Sequence, residues 1–162
     1  MTGRVAGLSV KPETGNEVGL PKRPVASLAI SPHGAQGDYN RYRTRTLRGD
    51  PDSALLLLTR DVLDALRREG WAVEPGHLGE NVLLEGIANT GLAPGKRVAL
   101  GTQVVVEVTR ECEPCRELYE LPYVGTTRGP GFVRTLLHRR GWYARVVTAG
   151  TVARGDAVRL LD

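Results

Sequence analysis

Apolar residues along the chain recur mostly at spacing two, in short runs broken by glycine and proline, which predicts strands joined by tight turns. Arg4 to Val10 alternates loosely and reads as a strand, stopped by Lys11-Pro12 and a polar, glycine-containing loop to Leu20. Pro21 and Pro24 introduce a second strand, Val25 to Ile30, which ends at Ser31-Pro32. Ala54 to Leu58 is a continuous apolar run with the pattern of a short buried strand. Thr59 is placed to cap a helix over Arg60 to Glu69, with Val62, Leu63 and Leu66 on one face and Gly70 as its stop. A turn from Pro75 to Asn81 feeds the strand Val82 to Leu84. Gln103 to Thr109 alternates most cleanly, with Val104, Val106 and Val108 on one side and Val105 on the other. Phe132 to Arg139 reads as a short helix, and Trp142 to Val147 as a further strand. Pro94 to Leu100 and Arg154 to Leu160 echo one another, each a tight turn followed by a short strand, and predict two similar hairpins. Many short strands with two or three short helices predict a mainly β fold, a barrel-like closed sheet. No linker-like stretch divides the chain, so residues 1–162 form a single domain in this reading.

Composition supports a folded domain with a real core: hydrophobic residues make up 41% of the 162 positions and charged residues 25%. No apolar run is long enough for a membrane-spanning helix, and Met1 to Val5 lacks the apolar stretch of a secretory signal. Two cysteines in one short motif are not a secreted disulfide framework, so the expected location is cytoplasmic. A formal net charge of +4 permits anionic partners without demanding them. The polar stretch His33 to Asp52 is expected to be one long loop, and Arg41, Arg43, Arg45 and Arg48 fall within it. Guanidinium forks match oxyanions, so this loop is a candidate site for a small anionic ligand, a phosphate or pyrophosphate. It reads equally as a solvated loop. One short basic run is thin for a nucleic-acid footprint.

The segment with most chemistry is Arg110-Glu111-Cys112-Glu113-Pro114-Cys115-Arg116, where a buried strand ends. With Glu113 capping a short helical turn and Pro114 at its first position, Cys115 would stand at the second, facing the positive end of the turn. Arg110 and Arg116 nearby would favour the thiolate, the form that attacks electrophiles and binds soft metals. The plain alternative is that one or both thiols are small core residues, and for Cys112 that reading is at least as good. A zinc site fits poorly, because His33, His77 and His138 are isolated and supply no second ligand pair. A thioredoxin-like redox pair needs a βαβ context that the neighbouring strands do not suggest.

Larger motifs converge on a family. Pro75-Gly76 to Gly79-Glu80-Asn81-Val82, then Gly86, Gly95, Leu100-Gly101, Val106 to Thr109 and Pro114-Cys115 resemble the signature of the MOSC family, the molybdenum cofactor sulfurase C-terminal domain. Gly37-Asp38, Arg140 to Val146, Gly150 and Gly155-Asp156 continue the resemblance over almost the whole chain. The resemblance implies a β-barrel that binds molybdenum cofactor (molybdopterin), with Cys115 as metal ligand or sulfur acceptor. It implies phosphate- and pterin-holding roles for Lys11, Arg41, Arg43, Arg45, Asn81, Arg110, Arg116 and Arg140. A catalytic member would be a molybdenum-dependent oxidoreductase reducing N-hydroxylated substrates, with Cys115 catalytic. No flavin, haem or iron–sulfur motif is present, so electrons would come from a separate electron-donor protein. The rival within the family is a non-catalytic sulfur or cofactor carrier, served by a cysteine desulfurase-type sulfur donor. A thiol–disulfide protein using both cysteines is a third reading.

Overall fold

The computed structural model describes residues 2–14 and 19–162. Its centre is a closed barrel of seven strands: β1 (Thr2–Val10), β5 (Leu55–Thr59), β6 (Val82–Glu85), β7 (Arg97–Leu100), β8 (Val104–Glu111), β9 (Trp142–Thr148) and β11 (Ala157–Leu161). Around the barrel the order is β1, β6, β5, β9, β8, β7, β11 and back to β1. β5 and β6 run parallel, joined by helix α1 (Arg60–Arg68), while the other barrel pairings are antiparallel. β2 (Arg23–Pro24) extends the edge of β1, and β3 (Ser27–Ser31), β4 (Gly34–Ala35) and β10 (Gly150–Ala153) form a small second sheet. The two echoing stretches meet as neighbours, β7 against β11 with Val158 opposite Leu100.

Side-chain alternation explains the barrel. Val104, Val106 and Val108 of β8 point inward with Val5, Leu8, Leu84 and Val158. Four leucines in a row make β5 unusual, and both its faces are buried. Leu55 and Leu57 fill the barrel, Leu58 packs outside it beneath α1, and Leu56 meets Cys112 and Tyr143. Each such leucine contributes about 2 kcal/mol of apolar burial. Val62, Leu63 and Leu66 of α1 pack with Phe132 and Leu136 in a second core on the barrel's outer wall. No helix among the described residues is long and apolar enough to cross a membrane.

Several local expectations are corrected. Thr59 stands at the start of α1, but its hydroxyl makes no capping bond and is buried without a partner among the described residues. Helix α2 covers Gly125–Thr135 instead of starting at Phe132. Three glycines and an internal Pro130 disguise it; burial of Phe132 against Trp71, ring centroids 4.5 Å apart, outweighs that weak propensity. The stretch His33 to Asp52 is not one loop. Gly34 and Ala35 pair back onto β3, Tyr42–Thr46 form a π-helical turn and Pro51–Ser53 a 3-10 turn. Local side-chain bonds hold these turns: Asn40 Oδ1 accepts from Arg43 N at 2.9 Å, and Asp50 Oδ1 from Asp52 N at 3.0 Å. The loop expected before Leu20 lies partly at 15–18, outside the described residues.

Candidate functional site

β8 and β9 are zipped together up to Glu111 opposite Trp142, and everything between is one long excursion from the barrel rim. Cys112 N donates to Gly141 O at 2.9 Å, so the two ends of the excursion stay in contact. Cys115 therefore leaves the rim beside Arg140, although 25 positions separate them. Arg140 is only 4% exposed. Its Nε donates to Leu78 O at 3.3 Å, and its Nη1 donates to Glu113 O at 3.2 Å and to Cys115 Sγ at 3.4 Å. Burial works against its charge, but the sulfurs of Cys112 and Cys115 outweigh that and hold its pKa above the ordinary guanidinium value.

The turn after Cys115 differs from the sequence expectation. Arg116–Glu120 is a 3-10 turn, and Cys115 itself is the extended residue capping it, with Leu118 N donating to Cys115 O at 3.1 Å. Pro114 is thus outside the turn, and Cys115 is not at its second position. The cation touching the sulfur is Arg140, not Arg110 or Arg116. Cys112 is buried against Leu56 and Tyr143, whereas Cys115 is half-buried; both are free thiols. Burial first, and then Cys112, pushes the Tyr143 phenol above its usual range.

Cys115 lines a cleft of about 310 Å³. The buried Arg140 and Tyr143 form its inner side, Tyr42 and Leu47 an apolar wall, and Glu113, Glu117 and the exposed Arg110 part of its lip. Arg110 stacks over Tyr143 at 5.2 Å and donates from Nη2 to Ser53 Oγ. Of the residues singled out in the sequence, the structure brings Cys115, Arg110 and Arg140 together here. Arg41 stands nearby, its Nε 3.6 Å from Glu117 Oε1. Arg116 lies over the Tyr119 ring, and Arg45 is exposed on the π-helical turn; neither lines the cleft.

Lys11, Arg43 and Asn81 belong to a different, buried constellation centred on Asp38. Lys11 N donates to Asp38 Oδ1 at 2.9 Å, and Asp38 Oδ2 takes Arg43 Nη2 at 2.8 Å, Asn81 Nδ2 at 2.8 Å and the Lys22 ammonium. Arg43 also donates to Ala54 O at 2.8 Å. Asn81 is wholly buried; its Oδ1 accepts from Leu56 N at 3.1 Å, so its amide ties β1, β5 and the Asp38 loop rather than facing the cleft. Burial alone would push Asp38 up, but Lys22 and Arg43 hold it below the usual carboxylate range. Burial pulls Lys22 down to about 7 and pushes Glu80 up to about 7. Lys22 carried no signal in the sequence. Gly37-Asp38 did, through the family resemblance; Arg43 follows five positions later in the same stretch, but Lys22 comes from a separate loop and no spacing reveals it.

A mixed barrel with a cysteine and a buried arginine meeting at the β8–β9 rim defines a small β-barrel protein with one accessible thiol in a partly cationic cleft. A family model for the MOSC domain matches residues 44–159, and the chain belongs to that family. Solved structures share the fold. The YUAD protein from Bacillus subtilis aligns over 99% of this chain and 96% of its own, at 21% identity and a TM-score of 0.77. YiiM from Geobacillus stearothermophilus aligns over 99% of this chain and 75% of its own, at 21% identity and a TM-score of 0.72. YiiM from Escherichia coli gives 98% and 70%, 19% identity and a TM-score of 0.67. Among curated proteins, none matches the chain.

Proposed function

We propose that the Cys115 cleft binds molybdenum cofactor and that Cys115 is the protein's ligand to its metal. The observation that carries this reading is the contact between Arg140 Nη1 and Cys115 Sγ at 3.4 Å inside a cleft large enough for a fused heterocycle. The donor set fits. Among the described residues no group of three or more His, Cys, Asp or Glu could hold a bare ion. A single soft thiolate suits a metal that arrives with sulfur ligands of its own. Bound there, the cofactor would supply a metal centre able to exchange an electron pair with a substrate.

This chain's residues do the rest. Arg140, fixed by Leu78 O and Glu113 O, holds the sulfur in place and offsets its negative charge. Arg110, with its side chain 42% exposed at the mouth and already engaged by Ser53 Oγ and Asp50, lends the cleft positive charge toward a cofactor phosphate. Tyr42 and Leu47 give the cleft an apolar wall for a flat ring and exclude water. The reaction that suits such a site is two-electron reduction of an N–O bond: R–NHOH, two electrons and two protons give R–NH2 and water. The electrons come from a separate electron-donor protein, and the location proposed is the cytoplasm.

The test is the molybdenum and pterin content of protein purified from a cofactor-producing host. Wild type is expected to carry both, and Cys115→Ala to lose them. A wild type that holds neither, even after reconstitution with cofactor, overturns the reading. In that event a persulfide trapped on Cys115 would identify a sulfur carrier, since the same Arg140 N–H stabilises an anionic terminal sulfur.

A further inference from the structure

A groove of about 570 Å³ lies where β1, the start of α1, the segment between β2 and β3, and the turn between β10 and β11 meet. It shares no lining residue with the Cys115 cleft. Backbone bonds set its shape. Arg154 N donates to Ala26 O at 2.9 Å, Gly155 N to Val5 O at 2.9 Å, and Val25 N to Leu8 O at 2.8 Å. The β10–β11 turn is thus tied both to β1 and to the segment after β2, and the groove is formed before any ligand arrives.

Its lining is of two kinds. Ala6, Pro24, Val25 and Ala26 are apolar, while Arg4, Arg60 and Arg154 bring one guanidinium each from three separate elements. Arg23 of β2, next to Pro24, adds a fourth at the end of that wall. Arg23 and Arg154 are exposed, and their side chains make no ion pair or hydrogen bond among the described residues. Arg4 and Arg60 are paired with Glu85 and Asp64, but on the surface: the side chains are 66% and 35% exposed in the first pair, and 37% and 42% in the second. Exposed pairs hold their partners weakly, so both guanidiniums can turn to another carboxylate. Four guanidiniums against two paired carboxylates leave the groove an excess of positive charge.

That charge selects an anion, and the lining selects which kind. Guanidinium forks take carboxylate and phosphate alike. A single nucleic-acid strand would want aromatic faces for its bases, and no aromatic side chain lines the groove among the described residues. Aliphatic surface between guanidiniums suits a peptide in which acidic and aliphatic residues are mixed. We propose that this groove docks an extended acidic segment of a partner protein. Arg154, Arg60 and Arg4 hold its carboxylates, and Pro24 and Val25 carry its aliphatic side chains. Nothing in this contact depends on the ligand of Cys115.

The test is fluorescence polarisation of a short labelled peptide alternating glutamate with valine, titrated with the full chain. Wild type binds it, binds the glutamine–valine counterpart at least about tenfold more weakly, and loses affinity as salt rises. Arg154→Glu and Arg60→Glu each weaken binding about tenfold. Neither change threatens the fold: the Arg154 side chain has no partner to lose, and an acidic residue at the first position of α1 suits the helix dipole. Arg134→Glu makes the same change of charge at an exposed position of α2 and leaves binding within about twofold of wild type. Equal weakening by Arg134→Glu would reduce the effect to net charge and overturn the proposal. So would a wild type that does not bind the peptide. An oligothymidylate of matching charge that binds more tightly than the peptide, and is weakened by Arg154→Glu, would overturn it in favour of a nucleic-acid site.

Discussion

A buried guanidinium is tolerated only where acceptors replace the water it has lost, and Arg140 has found three: two backbone carbonyls and a sulfur. Its structural and chemical roles cannot be separated by exposure, but substitution separates them. Arg140→Met fills the space yet leaves Leu78 O and Glu113 O without donors, and is expected to cost about 3 kcal/mol, read as a lower urea midpoint. Arg140→Lys keeps the charge, but one ammonium on a flexible stem cannot copy the fork. It is expected to recover part of the stability and to lower molybdenum content more than it lowers the midpoint. Equal stability of Arg140→Met and wild type would show that neither carbonyl depends on the guanidinium.

Elements, not spacing, bring Cys115 to Arg140. The register of β8 on β9 closes the excursion, and Gly141 is the tightest point of the closure. It has φ +104°, and a Cβ added there would lie 2.3 Å from Leu57 O. Gly141→Ala is therefore expected to cost several kcal/mol, about 3, because backbone rather than a mobile side chain must move. The bond from Cys112 N to Gly141 O should open with it, seen as faster hydrogen exchange at the Cys112 amide than in wild type. Unchanged exchange would mean the closure is held elsewhere. Pattern alone shows much of this framework. The alternating valines of β8, the buried run of β5 and α1 with its Gly70 stop follow from local periodicity; the echo of β7 and β11 marks two turn-and-strand units, but β10 pairs with β3 and β11 with β7 and β1, so the second is not a hairpin. Helix α2 does not, because tertiary burial of Phe132 overrides Pro130 and three glycines. The site was legible only in part. Cys115, Arg110 and Arg140 are visible as reactive types near strand ends, but their meeting depends on register. Asn81 and Arg43 look like ligand residues in sequence and are consumed by Asp38 in the fold.

At the scale of the whole molecule, the buried charges beneath the β1–β6 end make stability depend on pH in a definite direction. Glu80 is 1% exposed; its Oε1 accepts from Gly76 N, while Oε2 is buried without a partner among the described residues. Burial pushes its pKa up to about 7, above the ordinary 4.5 of the unfolded chain. Between those values the native state binds more protons than the unfolded state, so stability falls as pH rises through that window. The whole effect is worth up to about 3 kcal/mol. Lys22 acts oppositely: burial pulls it down to about 7 from 10.5, so the unfolded state binds more protons above pH 7 and stability rises again. Asp38, held below its ordinary 3.8, stabilises the fold above that value and loses its contribution in acid as pH falls through its lowered pKa. The cluster thus predicts a shallow minimum of stability near neutral pH, flanked by firmer regions near pH 5 and pH 9. Glu80→Gln keeps the carbonyl that accepts from Gly76 N and removes the titration. Its urea midpoint should stay level between pH 5 and pH 7 while that of wild type falls, and it should be the more stable protein at pH 7.5. A variant that follows the wild-type curve across that window would mean that Glu80 is ionised throughout, with Lys22 holding it as an ion pair. The rise above pH 7 would then disappear as well, because a Lys22 so paired would remain charged.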